Sequence, residues 1–172
     1  MHKNIYVQIS AVFGLLGAIL IVLYFFCFYW LGKNPLLYMS TFDLVIPVIC
    51  MTLAMFYFRD RKRAGSMHFW EGLIIGFFTN FIATFLSALV IYLFIVFIDT
   101  GLLTKHIADL QDLIVQSKEQ INTQFGKDAF EQTVQKISQT SASDVGIDLF
   151  IKKFLICLFA SGFVAAVLRK NQ

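Results

Sequence analysis

WEGLIIGFFTNFIATFLSALVIYLFIVFI, from Trp70 to Ile98, carries one formal charge, Glu71, at its start. A helix needs roughly 20 mostly apolar residues to cross a hydrocarbon core about 30 Å thick. Within that core a single segment satisfies its backbone polar groups only as a helix. The stretch therefore reads as a membrane-spanning helix, long enough to tilt or to project beyond the bilayer.

On its N-terminal side stands RDRKRAGSMHF, Arg59 to Phe69, a strongly charged turn. Before that turn the pattern predicts a span over about Thr41–Phe58, with Pro47 in its first two turns as a source of a kink. An earlier span covers about Val7–Leu31, and the short connection Gly32–Ser40 predicts that these two helices are antiparallel neighbours. The first run competes with a signal-peptide reading. It is far longer than a core of about 7–15 residues and ends in Phe28, Tyr29 and Trp30 with no small-residue cleavage site, so it reads as an anchor.

On the C-terminal side, after the mixed polar segment Asp99–Asp144, a last span is expected over about Val145–Leu168. Its uninterrupted apolar run, Phe154–Leu168, is only about 15 residues, or ~22 Å. Lys152 and Lys153 are therefore expected at the interface or snorkelling towards it. Asp144 or Ser143 is the expected N-cap. The competing reading is a core helix of a soluble domain.

Composition agrees with the runs. Of 172 residues, 58% are hydrophobic and 15% charged, twenty are Phe, and the mean hydropathy is +0.73; soluble domains are about 25% charged. One membrane domain, residues 1–172, accounts for the length. A net charge of +3, placed at membrane edges, gives no reason to expect nucleic-acid binding. Cys27, Cys50 and Cys157 fall inside predicted spans and match no zinc spacing, so they read as packing residues.

Lys and Arg in short flanks orient a membrane protein. With four spans, Lys3, the basic turn (Arg59, Asp60, Arg61, Lys62, Arg63), Arg169 and Lys170 share one side, while the opposite short loop carries only Lys33. Both termini are thus expected in the cytoplasm. In lipid, close backbone approach and polar hydrogen bonds hold helices together. Gly72, Gly76, Asn80, Thr84 and Ala88 recur every four residues along the third span, with Ser87 beside them. They form a face for packing within the chain or for docking another membrane protein or copy. Ser10, Gly14 and Ala18 line the first span similarly, as do Ser161/Ala165 and Gly162/Ala166 on the fourth.

The outer segment, about 102–140, carries an apolar stripe of Leu103, Ile107, Leu110, Ile114, Ile121 and Phe125, with Gly126 as a stop. A second short helix is expected around Phe130, Val134 and Ile137, with Asp128 and Glu131 in its first turn. Together they predict an extracytoplasmic amphipathic helical hairpin resting on lipid, on the bundle or on a partner.

The charged residues nearest the membrane are Asp43, Asp60, His68, Glu71, Asp99 and Asp148. None is expected deep: Asp43, Glu71 and Asp99 are placed at helix ends, Asp60 beside Arg59 as a salt bridge or a cap, and Glu71 is favoured by its helix N-terminus. His68 and Glu71 are three apart, but a second His-bearing helix motif is missing; His2 and His106 fall on opposite sides. No HExxH, Walker loop, GxSxG or GxGxxG occurs. No catalytic residue, cofactor or metal is expected. An inner-surface enzyme using Asp60, His68 and Glu71 and an oligomeric channel lined by Asn80 and Thr84 remain as alternatives.

Arg59-Asp60, then Gly65, Phe69 before Glu71, Gly76 and the helix ending at Ile98-Asp99 resemble the domain-of-unknown-function family 4199. An N-terminal helix with Gly14 and Gly17 and a last helix ending Leu168-Arg169-Lys170 fit the same family in outline. The resemblance implies a four-helix inner-membrane protein, mainly of Bacteroidota, with no catalytic residues to transfer. The expectation is an all-α polytopic protein of the bacterial inner membrane. It would be non-catalytic, an accessory or assembly subunit whose partners are the bilayer and another envelope protein or copy.

Overall fold

The computed structural model describes residues 3–37, 43–118, 123 and 127–169. The long helices among the described residues are, in order, α1 Lys3–Trp30, α2 Val45–Lys62, α3 Phe69–Phe97, α4 Gly101–Gln116, α5 Lys127–Ser138 and α6 Ala142–Leu168. Among the described residues no strand forms. Three segments among the described residues are long and apolar enough to cross a membrane: Ile5–Trp30, Phe69–Phe97 and Ala142–Leu168.

The second expected span differs. Its predicted start at Thr41 lies outside the described residues, and α2 begins at Val45. Arg59, Asp60, Arg61 and Lys62, expected in a turn, form the last turn of α2 instead, and Arg63 is its C-cap. Basic side chains there meet the negative end of the helix dipole. Pro47 is the third helical residue, where its absent N–H would have had no intrahelical acceptor, so the expected break in hydrogen bonding does not arise. The reversal into α3 uses Ala64 at φ +49° and Gly65 at φ +90°. Gly65 N donates back to Arg59 O at 2.9 Å, closing the helix end and satisfying one of its last carbonyls.

α6 starts earlier than expected. Ser141, not Asp144 or Ser143, is the N-cap. Its hydroxyl accepts from Asp144 N at 3.3 Å, while Ser141 N donates to the Asp144 carboxylate at 2.9 Å. The acid at the third position closes a reciprocal cap.

α3 stands at the centre, packed against α1, α2 and α6. It runs parallel to α1: Ser10 Oγ donates to Ile75 O at 3.1 Å near one end, and Phe25 meets Phe94 edge-on near the other. It runs antiparallel to α6, with Gly72 facing Ala165 and Tyr92 facing Gly146. One apolar cluster gathers Ile9, Met55, Phe58, Ile75 and Leu168 at the basic end; a second gathers Ile21, Phe25, Ile91, Phe94 and Val145 towards the opposite end. Phe77, Phe81 and Phe85 of α3 interleave with Phe150 and Phe154 of α6. Outward, Phe159 and Phe163 are 80% and 73% exposed, a surface suited to lipid rather than water.

Beyond α3, Asp99 Oδ1 accepts from Leu102 N at 3.1 Å and Asp99 Oδ2 accepts from the Tyr29 hydroxyl at 2.8 Å. This carboxylate joins the ends of α1 and α3 to the start of α4. In α4 the buried residues are Leu102 and His106. The expected stripe residues Leu103, Ile107, Leu110 and Ile114 are half-buried beside them. Ile121, Phe125 and Gly126 lie outside the described residues. In α5, Phe130, Val134 and Ile137 form the half-buried face. α4 and α5 touch through a 3.0 Å bond from Gln111 Nε2 to Ser138 Oγ and through Lys118 over the Phe130 ring.

Candidate functional site

The small-residue stripe on α3 faces inward. A Cβ on Gly76 would stand 2.6 Å from Met55 Cε and 2.8 Å from Ser161 Cβ, so α2 and α6 both crowd this position. A Cβ on Gly72 would meet Ala165 at 3.0 Å. One turn further, Asn80 Nδ2 donates to Phe154 O at 3.0 Å, linking α3 to α6. Thr84 Oγ1 donates to Asn80 O at 2.8 Å and Ser87 Oγ to Thr84 O at 3.1 Å, both within their own helix. Asn80 Oδ1 and Thr79 Oγ1 are buried without a hydrogen-bond partner. On α1, Gly14 and Gly17 let that helix close on Ile82 and Ala83. Gly162 has no comparably close neighbour, its nearest being Leu73 Cδ1 at 4.0 Å.

Asp43 stands at the start of α2 as expected, but Lys153, expected at the interface or snorkelling towards it, does not turn outward. Lys153 turns inward, 3% exposed, and pairs with Asp43, 0% exposed, just before α2. Cys157, one turn along α6, directs its thiol to Leu44 O at 3.9 Å. Opposite Lys153, α3 carries Thr84, since Gly76 faces Ser161 and Gly72 faces Ala165 in antiparallel register; the pair therefore sits well inside the length of α3. Taking two charges out of water costs several kcal/mol each, recovered only with good geometry and further hydrogen bonds. Those are incomplete here: both Asp43 oxygens and Lys153 Nζ lack a well-formed hydrogen bond. Sequence reasoning missed the pair because its members lie in segments far apart in the chain, Asp43 just before α2 and Lys153 within α6. Lys153, a charge within the last predicted span, was the signal available.

Above the pair a cavity of about 410 Å³ separates α4 from α6, lined by Leu36, Leu44, His106, Leu110, Lys153 and Ile156 among others. Lys152 and Asp148 stand on its rim, joined at 2.7 Å and both exposed. Asn34 ties α4 down: its Nδ2 donates to Asp109 Oδ2 at 2.7 Å and lies 3.4 Å from His106 Nδ1. Burial pushes the His106 pKa down, against the opposing pull of Asp109 and Asp148. Its imidazole is thereby kept neutral at a lower pH than usual.

At the basic end Glu71 is also largely buried, but fully engaged. Oε1 accepts from Tyr6 Oη at 3.0 Å and from Arg63 Nε at 3.0 Å, and Oε2 accepts from His68 N at 3.0 Å. The carboxylate pushes the Arg63 pKa further up. Asp60 instead pairs with Arg59 at 2.8 Å, so Asp60 and Glu71 hold different partners. Lys170 and His2 lie outside the described residues.

The chain matches the model of the family described as "Protein of unknown function (DUF4199)" over residues 12–170, and it belongs to that family. No curated protein and no solved structure matches it.

Proposed function

We propose that the chain is a four-span protein of the bacterial inner membrane that acts through protein contacts, as an accessory or assembly subunit, rather than by catalysis. In this reading α2 is the fourth span. Its apolar part, Val45–Phe58, is short, about 14 residues or ~21 Å. It nonetheless buries Cys50, Met51, Ala54, Met55 and Phe58 against the three longer helices. Arg59, Arg61, Lys62, Arg63 and Arg169 then share one end with Lys3, which the positive-inside rule places in the cytoplasm. The α4–α5 segment becomes an extracytoplasmic helical hairpin.

The observation that carries the contact reading is the anchoring of that hairpin. Asn34 and the Lys105 bond to Gly32 O at 3.1 Å hold α4 to the spans. Leu113 and Val115 nonetheless stay 44% and 57% exposed. An ordered segment with uncovered apolar side chains suits a partner such as another envelope protein. Crosslinking in cells followed by purification in mild detergent is expected to bring down a stoichiometric partner. A lone monomer after crosslinking counts against the reading, and a reporter fused after Gln172 that works only outside the cytoplasm overturns the orientation.

A second reading, a small oligomeric channel or carrier, draws support from the buried Asp43–Lys153 pair, since ionisable groups inside spans often mark ion or substrate paths. Flux into liposomes that is lost in an Asn80→Leu/Thr84→Ala variant would favour it; no flux from the wild type dismisses it.

A further inference from the structure

We propose that the cavity floored by Lys153 binds an amphipathic monoanion, a carboxylate or phosphate ester carrying an aliphatic chain. Lys153 lines the cavity and Asp43 does not, so the cation lies between the cavity and the carboxylate. An anion that passes the paired Lys152 and Asp148 at the rim reaches Lys153 before Asp43. The ammonium has three donors; Asp43 takes up one side of it as an ion pair, and the structure shows no other hydrogen-bond partner for Nζ. The floor is therefore a buried, incompletely satisfied cation. Lys152 supplies a second cation at the rim, where its bond to Asp148 is exposed to water and weakly held. Between rim and floor the walls are mainly aliphatic, with Leu36, Leu44, Leu110 and Ile156 beside His106. The volume, about 410 Å³, falls within the roughly 300–1,000 Å³ of small-molecule sites.

A polar head on Lys153 with a chain along the leucines matches each surface to its chemistry. A soluble inorganic anion would leave the leucines wet, and a neutral lipid would add no charge to meet the cavity side of the ammonium, leaving Asp43 as its one partner. The bound anion shares or replaces Asp43 as the partner of Lys153, so Asp43 competes with the ligand and holds its affinity down. This assignment concerns the cavity alone and stands whether or not the hairpin has a protein partner.

The test uses the full chain in nanodiscs of zwitterionic lipid, titrated calorimetrically with dodecanoate. Wild type is expected to bind one equivalent saturably. Asp43→Asn, which removes the competing anion and leaves the cation, is expected to bind at least about tenfold more tightly, a change of about 1.4 kcal/mol. Lys153→Met, and the neutral pair Asp43→Asn/Lys153→Met, are expected to lose saturable binding. The neutral pair leaves neither charge buried alone, and its helical content by circular dichroism verifies that it folds. Phosphatidylglycerol added to the nanodiscs separates the two sources of such an anion. Displacement of dodecanoate identifies a lipid headgroup as the occupant, and its absence identifies a free carboxylate; both support the anion site. Saturable binding retained by the folded neutral pair, no saturable binding by wild type, or no binding by Asp43→Asn with helical content equal to wild type, overturns the proposal.

Discussion

Two buried carboxylates, Glu71 and Asp43, solve the same problem in opposite ways. Glu71 sits at a helix N-terminus near the basic end, with partners from a side chain on α1, the α2 C-cap and its own N-cap backbone. Each oxygen has a donor at ordinary distance, and Arg63 reaches water. Asp43 is sealed, with one cation from a helix more than a hundred residues away and unmet hydrogen-bonding capacity on both sides of the pair. The first arrangement is what a folded protein does to keep a carboxylate quiet. The second retains an electrostatic cost that two apolar residues would remove. This contrast is why the Asp43–Lys153 region, rather than the more crowded Glu71 cluster, is the place to look for a ligand.

The largest effect should come from breaking the deeper pair. Asp43→Asn or Lys153→Met alone leaves one uncompensated buried charge or an unmatched polar group, and is expected to cost about 3–5 kcal/mol in a detergent unfolding titration. The double neutral variant should recover most of that loss. If the single variants unfold like wild type, the pair is not coupled and the contrast fails.

Next is the seam between the two sites. Gly76→Ala forces a Cβ against Met55 and Ser161 and is expected to cost about 1–3 kcal/mol by overpacking. Gly162→Ala, which meets nothing closer than 4.0 Å, should be close to neutral in the same titration. Glu71→Gln should cost less, about 1.5 kcal/mol, the low end for hydrogen bonds to a charged group. Arg63 is 44% exposed and can return to water, which softens its loss. A Glu71→Gln penalty as large as that of Lys153→Met would erase the distinction.

The smallest expected effect is a pH response at the cavity wall. His106 has a folded pKa below its ordinary value of 6.5, so the unfolded state binds the proton more readily. The stability it contributes is present above about pH 6.5 and lost as pH falls through that value towards the lower folded pKa. Hydrogen exchange across α4, corrected for intrinsic rates, should be faster at about pH 5.5 than at about pH 7.5, and His106→Leu should abolish the difference.

Much of the scaffold was legible in the chain. Ile5–Trp30 and Phe69–Phe97 announce themselves because lipid imposes length and apolarity on any helix that crosses it. The Gly72–Gly76–Asn80–Thr84 face followed from four-residue spacing, and the Asp60–Arg59 pair from adjacency. Boundaries were less legible: the basic residues extend α2 rather than ending it, and Ser141 rather than Asp144 opens α6. Of the deeper site, only the presence of a lysine within an apolar run was visible.

The sequence by itself determined that this is a membrane protein built of long helices, because hydropathy and helical period are local properties. Which side chains meet is not local. The register of α6 along α3 depends on where Ala165 and Ser161 accept Gly72 and Gly76. That register, together with the placement of the α2 start, carries Lys153 to Asp43 instead of to the interface. Only the tertiary structure decided that a charge expected to snorkel outward would be drawn in, because its counterion comes from a distant segment, just before α2.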